Sequence, residues 1–271
     1  MPVYNSAMTM CAAISSLMAQ TFGDFELIIA DNASTDATGD IAREYAAADA
    51  RIRYIRHNEN RGAFGNFVYV IEAAKAELFM WAAADDWWSP DVAALNVGFL
   101  RDNPGFISSI SPVRFEGEVG EPLFMGDGVL AAPSLGGRIR QYLSLWHGNS
   151  VFYSVFRRRI LLESLSPAGT YLGFDWSVML RATRHGPSMR LSEGEVVRGK
   201  RGMSSSGLIF KSSRSRFIHW LLPFYDVSRQ ALQTIRRERW DAKAAVWVAL
   251  ANLNFAAARA QFGYERRAWR S

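Results

Sequence analysis

FELIIADNASTDAT, residues 25–38, places an apolar run directly before a cluster of carboxylates, hydroxyls and an amide. Phe25–Ala30 predicts a short buried strand, because its branched apolar side chains suit a covered position in a sheet. Asp36-Ala37-Thr38 has the capping chemistry that begins a helix. The six residues DNASTD therefore mark the point where a strand ends and the chain turns into a helix.

The same alternation continues on both sides of this stretch. Helical apolar spacing predicts helices at Met8–Ala19 and Asn60–Ala74, and apolar runs predict strands at Ile52–Ile55 and Leu78–Trp81. Strands that alternate with helices are typical of the α/β class, here a mostly parallel sheet with helices on both faces. Such sheets bind ligands at the carboxyl ends of their strands.

The regular alternation ends near Pro104, where we place a subdomain boundary. Phe106–Phe115 predicts one further strand, and residues 116–137 are rich in Gly and Pro and predict a loop. Asp175–His185 predicts a helix, and helical patterns dominate from Phe210 to the end.

Composition limits the classes of protein that this chain can belong to. Its 271 residues are 49% hydrophobic, which is enough for a large core, and its single cysteine excludes an intrachain disulfide. No apolar run reaches the roughly 18 residues of a spanning helix, so we expect a cytoplasmic protein. Basic residues strongly outnumber acidic ones from Arg198 onward, which predicts an anionic ligand or surface near that region.

Carboxylates follow the predicted strands at Asp31, at Asp36 and at the pair Asp85-Asp86. Parallel strands end at one edge of a sheet, so we expect these side chains to converge on one cleft. Adjacent carboxylates repel each other, and such a pair suits Mg²⁺ or Mn²⁺ together with a phosphate-bearing substrate. Two alternatives stay open: Asp85-Asp86 can be a plain turn, and DNASTD can be a plain helix cap. The chain has no phosphate-binding P-loop motif and no dinucleotide-binding glycine motif.

Several segments together resemble a known family. They are Pro2-Val3-Tyr4-Asn5, residues 20–29 (QTFGDFELII), DNASTD, Arg51-Ile52-Arg53-Tyr54, Asn60-Arg61-Gly62 with Asn66, and Ala84-Asp85-Asp86 with Pro90-Asp91. In type and order they are similar to the family 2 inverting glycosyltransferases of GT-A fold. The resemblance is dense over about the first 91 residues and thins to scattered positions past Pro104.

The resemblance implies a nucleotide-sugar donor, held at the strand ends with Mn²⁺ or Mg²⁺. Asp31 would meet the base, Asp85 would lie near the ribose and the metal, and Asp86 would coordinate the metal. The family usually has an aspartate where Ala84 stands, so the metal would depend more heavily on Asp86. The donor-binding residues that the resemblance implies are Pro2, Val3, Tyr4, Asp31, Ser34, Asp85 and Arg201.

An inverting transfer needs a base that deprotonates the acceptor hydroxyl. Asp175, at the start of a predicted helix, resembles the family's catalytic carboxylate, and an N-cap role for it stays open. Arg198, Lys200 and Arg201 lie where the family has a mobile loop that contacts the diphosphate. A solvated basic loop is the alternative for these three residues.

The family normally has an apolar strand immediately before Pro2-Val3-Tyr4-Asn5, whereas this sequence has only Met1 there. We therefore expect the central strand of the sheet to be missing or shortened. Its loss would expose the edges of both neighbouring strands.

The leading hypothesis is a metal-dependent inverting glycosyltransferase, hexosyltransferase-like, that acts in cell-envelope or surface polysaccharide biosynthesis. Its partners would be a nucleotide-sugar and a glycan or lipid-linked acceptor, with no nucleic acid. Residues 1–104 would bind the donor, residues 105–207 would bind the acceptor within the same GT-A domain, and residues 208–271 would form a helical region.

The rival hypothesis is a non-catalytic nucleotide-binding or membrane-peripheral module that retains the GT-A cleft. Phe217–Phe224, Arg236-Arg237 and Arg266-Arg267 would then lie on the anionic inner face of a membrane. Packing of these helices on the core or in a homodimer is the alternative.

Overall fold

A three-stranded parallel sheet carries the DNASTD stretch. The computed structural model describes residues 1–117, 129–143, 149–165, 173–200 and 217–268. Strand β2 (Leu27–Asp31) lies between β1 (Pro2–Val3) and β3 (Ile52–Arg56), and every residue of β2 is buried. Both pairings are parallel, as the sequence predicts, with Pro2 opposite Ala30. Asp31 is thus the last residue of the central strand.

Four helices alternate with the strands of the N-terminal part. They are α1 (Met10–Met18), α2 (Thr38–Ala48), α3 (Gly62–Ala73) and α4 (Val92–Asp102). α2 begins at Thr38 with Ala37 at the N-cap position, and Asp36 Oδ1 accepts a hydrogen bond of 3.0 Å from the Thr38 amide just before the helix. The predicted order of strands and helices is therefore confirmed in this part of the chain.

The remaining strands form two mixed sheets rather than a continuation of the parallel one. One sheet has the order β4 (Leu78–Phe79), β8 (Val155–Arg157), β6 (Ser108–Ile110) and β9 (Ser188–Arg190). The other has the order β5 (Trp87–Trp88), β10 (Val196–Arg198) and β7 (Val113–Phe115). In both sheets parallel and antiparallel pairs occur side by side.

The single strand predicted at Phe106–Phe115 is wrong. The chain forms β6 and β7 there, in different sheets, separated by Ser111 and Pro112. Proline has no amide hydrogen to donate to a ladder, so the chain changes sheets at this point. β4 is also shorter than predicted and ends at Phe79 instead of Trp81.

Six further α-helices occur in the described residues: α5 (Leu135–Leu143), α6 (Arg158–Ser164), α7 (Phe174–Ala182), α8 (Ile218–Leu221), α9 (Tyr225–Thr234) and α10 (Trp240–Ala268). The helical region predicted from Phe210 onward is confirmed by α8, α9 and α10, whereas α5 begins inside the stretch predicted as a loop. Val246, Leu250 and Leu253 of α10 are buried in one core cluster with Ile139 of α5 and Val227 of α9. None of the helices in the described ranges is long and apolar enough to cross a membrane.

A cavity of about 570 Å³ lies beside the short strand β1. Its walls include Met1, Ile28 of β2, Leu78 of β4, and Val70 and Val155. The Met1 ammonium group is buried, donates a hydrogen bond of 2.7 Å to the Ile28 carbonyl, and has its pKa lowered to about 5 by that burial. Residues of β2 and β4 thus line one cavity, and β4 pairs with β8.

Candidate active site

Asp31 is completely buried, and both of its carboxylate oxygens are engaged within the protein. Oδ1 accepts a hydrogen bond of 2.8 Å from the Ser34 amide, and Oδ2 accepts bonds from Tyr54 at 2.9 Å and Arg56 at 2.6 Å. Burial alone would raise the pKa of Asp31, but the bonds from Ser34 and Tyr54 and the charge of Arg56 outweigh it and lower the pKa. This carboxylate organises the turn after β2.

The end of β1 is tied to the same turn. The Val3 carbonyl accepts a bond of 2.9 Å from the Asn32 amide, and the Asn5 amide donates to Ser34 Oγ at 3.0 Å. Val3 and Ser34 are buried, whereas Tyr4 is 48% exposed. Of the residues predicted to bind the donor here, Tyr4 presents the most open surface, and their contact with a nucleoside stays a prediction.

Asp86 is also buried, but its carboxylate is only half satisfied. Oδ1 accepts a hydrogen bond of 3.1 Å from the Gly199 amide, and Oδ2 has no hydrogen-bond partner among the described residues. The Arg198 Nε lies 3.8 Å from Oδ2. Burial, together with the charge of Asp85, raises the pKa of Asp86 to about 6, although Arg198 and the Gly199 amide oppose the shift.

The expected route by which Asp85 and Asp86 reach the site is wrong. They do not end a strand of the parallel sheet, because β4 stops at Phe79 and belongs to a mixed sheet. They lie in a turn immediately before β5, which pairs antiparallel with β10, so the end of β10 brings Arg198 and Gly199 to them.

Gly199 allows this approach. A Cβ atom at position 199 would lie 2.4 Å from the Asp85 carbonyl oxygen and 2.6 Å from its Oδ2, closer than any side chain tolerates. Glycine is therefore required by space at this position. The sequence pattern includes Gly199 in a basic loop but does not indicate this contact.

Arg198 connects the acidic pair to the helical part of the chain. Its guanidinium carbon lies 4.3 Å from the centre of the Tyr153 ring, within cation–π range. Burial raises the pKa of Tyr153 to about 12, and the charges of Asp86, Asp175 and Asp85 act in the same direction. The charges of Asp85, Asp86 and Asp175 therefore all act on the Tyr153 hydroxyl.

Asp175 is the second residue of α7 and is held by a short relay. Its Oδ2 accepts a hydrogen bond of 2.7 Å from Asn149 Nδ2, and Asn149 Oδ1 accepts one of 2.6 Å from the Tyr142 hydroxyl. Burial raises the pKa of Asp175, although the Asn149 bond partly offsets it. The N-cap alternative for Asp175 is wrong, because Gly173, at a φ of 79°, occupies that position.

The residues around Asp86 fit a divalent cation of the Mg²⁺ or Mn²⁺ type. The buried oxygen without a partner is a hard anionic ligand, and Asp85 adds a second carboxylate beside it. No group of three or more His, Cys, Asp or Glu residues that could hold a metal ion occurs in the described ranges. A cation would therefore take its other ligands from water and substrate. Arg201 lies outside the described residues.

The model of the family described as "Glycosyl transferase family 2" matches residues 1–165, more than half of the chain. The chain belongs to glycosyl transferase family 2. It is 31% identical over 105 residues to WfaP of Escherichia coli, a UDP-Glc:alpha-D-GlcNAc-diphosphoundecaprenol beta-1,3-glucosyltransferase. The aligned residues make up 39% of this chain and 41% of WfaP. The chain spans between 26% and 41% of the length of the first two curated relatives that it matches.

Solved structures share the fold of this family 2 chain. S. aureus TarS 1-349 in complex with UDP-GlcNAc has a TM-score of 0.64 and 19% identity, covering 93% of the chain and 69% of TarS. Mannosyltransferase PcManGT from Pyrobaculum calidifontis, in complex with GDP-Man and Mn²⁺, has a TM-score of 0.53 and 18% identity. The superposition covers 98% of this chain and 78% of PcManGT. The predicted family and GT-A fold are confirmed.

Proposed function

We propose that this chain is a metal-dependent inverting glycosyltransferase that moves a sugar from a nucleoside diphosphate sugar to a hydroxyl acceptor. The observation that carries the proposal is the buried Asp86 Oδ2, which has no hydrogen-bond partner among the described residues and lies 3.8 Å from the Arg198 Nε. Burying a carboxylate without a full set of partners costs free energy, and binding a cation there offsets that cost.

Asp86 would hold Mn²⁺ or Mg²⁺, with Asp85 beside it. The bound cation would neutralise charge on the leaving diphosphate. Arg198 adds a fixed positive charge at the same point, where charge develops as the sugar leaves. The PcManGT complex, which shares this fold, holds Mn²⁺ together with GDP-Man, and this supports a divalent cation here. Arg201 would bring a further positive charge near the diphosphate.

Asp175 would act as the base that takes the proton of the acceptor hydroxyl. Burial raises its pKa, which makes the carboxylate a better proton acceptor near neutral pH. The Asn149 amide donates to Oδ2 at 2.7 Å, so the carboxylate is held in a fixed orientation. Inversion follows if the hydroxyl attacks the anomeric carbon from the face opposite the diphosphate.

The donor would meet Pro2, Val3 and Tyr4 on the β1 side. Asp31 would act on the base side, chiefly by ordering the turn that carries Ser34. We propose a glycan or a lipid-linked acceptor in cell-envelope or surface polysaccharide synthesis, supported by the activity of WfaP on a diphosphoundecaprenol substrate. A cytoplasmic enzyme at the inner face of the membrane suits that acceptor, and a homodimer stays a prediction.

A comparison of the variants Asp86→Ala and Asp40→Ala tests this function. Asp40 is an exposed carboxylate on α2 that pairs with Arg43, so it is a matched control outside the site. We expect Asp86→Ala to lower donor hydrolysis and transfer by about a hundredfold or more while the melting temperature stays at or above that of Asp40→Ala. The assay is turnover of a panel of nucleoside diphosphate sugars with Mn²⁺.

Unchanged turnover in Asp86→Ala would contradict the proposal. The rival, a non-catalytic module that retains the cleft, predicts a different outcome: nucleotide binding by the wild type without hydrolysis or transfer of any donor. The two candidates therefore separate on the wild-type chain before any variant is made.

A further inference from the structure

Exposed large apolar side chains are concentrated in the C-terminal helices. Of the thirteen in the described ranges, nine lie between Phe217 and Phe262. Single exposed apolar residues are normal on protein surfaces, but such a concentration in a basic part of the chain marks an interaction surface.

The outer face of α10 carries most of this surface. The inner face is fully used, since Val246, Leu250 and Ala257 are buried in the core. On the outer face, residues recur at steps of three or four, which is the spacing of one helical stripe. This outer stripe consists of Trp240, Lys243, Trp247, Ala251, Phe255, Arg259 and Phe262.

The outer stripe combines aromatic and cationic side chains and contains no carboxylate. Trp240 is 78% exposed and Phe255 is 66% exposed, and the Arg259 guanidinium lies 5.9 Å from the centre of the Phe255 ring. Aromatic residues mixed with Lys and Arg are typical of helices that lie in the plane of a lipid interface. Between residues 217 and 263 there are six Lys and Arg residues against three Asp and Glu residues.

The short helix α8 extends this surface. Gln261 Nε2 donates a hydrogen bond of 3.3 Å to the Trp220 carbonyl, which fixes α8 against the Phe262 end of α10. Phe217, immediately before α8, is 79% exposed, and Leu221 at the end of α8 is 60% exposed. Exposed apolar residues thus lie on both helices that this bond joins.

The charges of the outer stripe indicate whether it binds a bilayer or a second copy of the chain. A two-fold dimer on the outer stripe would set the stripe against itself, so Lys243 and Arg259 would meet a second stripe that contains cations and no carboxylate. An anionic bilayer offers phosphate groups to both cations and accepts the aromatic rings at the same depth. We propose that the outer stripe, with Phe217 and Leu221, binds the surface of an anionic phospholipid bilayer.

This inference specifies how the proposed lipid-linked acceptor is reached, but the binding itself does not rest on the transfer chemistry. Flotation of the full chain with vesicles tests it directly. The vesicles are phosphatidylcholine alone and phosphatidylcholine with phosphatidylglycerol, each at low and high salt. The variants are Trp247→Ser with Phe255→Ser, and Lys243→Gln with Arg259→Gln. Met8→Ser, an exposed apolar residue of the N-terminal part, is the matched control.

We expect the wild type and Met8→Ser to float with the anionic vesicles and to be released by salt. The aromatic double variant should bind at least about tenfold more weakly, and each lost cation should weaken binding about fivefold on the anionic vesicles. Donor hydrolysis should be unchanged in the aromatic double variant, so loss of flotation and loss of turnover are separate results.

Two outcomes would overturn the proposal. One is absence of wild-type flotation with anionic vesicles at low salt. The other is a dimer in light scattering that the aromatic double variant converts to monomer, since the outer stripe would then be covered by a second copy.

Discussion

Asp31 and Asp86 are two buried carboxylates with opposite electrostatics. Asp31 is 0% exposed and Asp86 is 3% exposed, so desolvation acts strongly on both. Asp31 receives bonds from Ser34, Tyr54 and Arg56, and its pKa is lowered. The pKa of Asp86 is raised to about 6, and one of its oxygens has no hydrogen-bond partner in the described ranges.

The difference separates a structural carboxylate from one that is prepared for a ligand. A buried charge that the protein satisfies itself stabilises the fold, whereas one that it leaves half satisfied favours the binding of a cation. The DNASTD turn is therefore the fixed part of the candidate site, and the Asp86 turn is its reactive part. The predictions below test this division, beginning with the largest expected effect.

With a chelator present, Asp86 and Asp31 should change the free energy of unfolding with pH in opposite directions. The pKa of Asp86 is above its ordinary value of 3.8, so its contribution is most favourable below that value and is lost as pH rises through about 6. Between these two pH values the Asp86 contribution to the free energy of unfolding falls by about 3 kcal/mol at most. The pKa of Asp31 is lowered, so its contribution is present above its ordinary value and is lost as pH falls.

Urea unfolding of Asp86→Asn and Asp31→Asn across this range measures both slopes. Asp86→Asn should remove the loss of stability toward neutral pH, and Asp31→Asn should remove part of the loss toward acid pH. Identical pH profiles for the two variants would remove the distinction.

Asp31→Asn should lower the free energy of unfolding by about 2 kcal/mol at neutral pH, because it weakens the bonds from Tyr54 and Arg56. Tyr54→Phe is the matched control and should cost about 1 kcal/mol, since it removes one bond only. Chemical denaturation checks both values. Full stability of Asp31→Asn with complete loss of turnover would instead indicate a direct substrate role for Asp31.

Asn149→Ala should have the smallest effect, a loss of about tenfold in kcat/KM, because it frees the Asp175 carboxylate to rotate. Its pH profile is more informative. The Asn149 bond favours the charged carboxylate, so removing it should raise the pKa of Asp175 and move the acidic limb of kcat/KM to higher pH. Tyr142→Phe should shift the limb in the same direction by less. An unmoved limb would assign Asn149 a purely structural role.

Local pattern was enough to predict the strand, turn and helix around DNASTD, since each depends on neighbours in the chain. The resemblance at Ala84-Asp85-Asp86 and at Asp175 indicated the site carboxylates. Neither could predict the Gly199 amide on Asp86, which lies 113 positions away, or the relay through Asn149 and Tyr142. These contacts depend on how the mixed sheets pair, and no short-range spacing encodes that pairing.

The central claim is that Asp86, and not Asp31, is the carboxylate prepared for a cation. Calorimetric titration of Mn²⁺ into the chain in the presence of UDP tests it most directly, with Asp86→Asn and Asp31→Asn side by side. We predict saturable Mn²⁺ binding by the wild type and Asp31→Asn, and at least about tenfold weaker binding by Asp86→Asn. Equal Mn²⁺ affinity in Asp86→Asn and the wild type would contradict the claim.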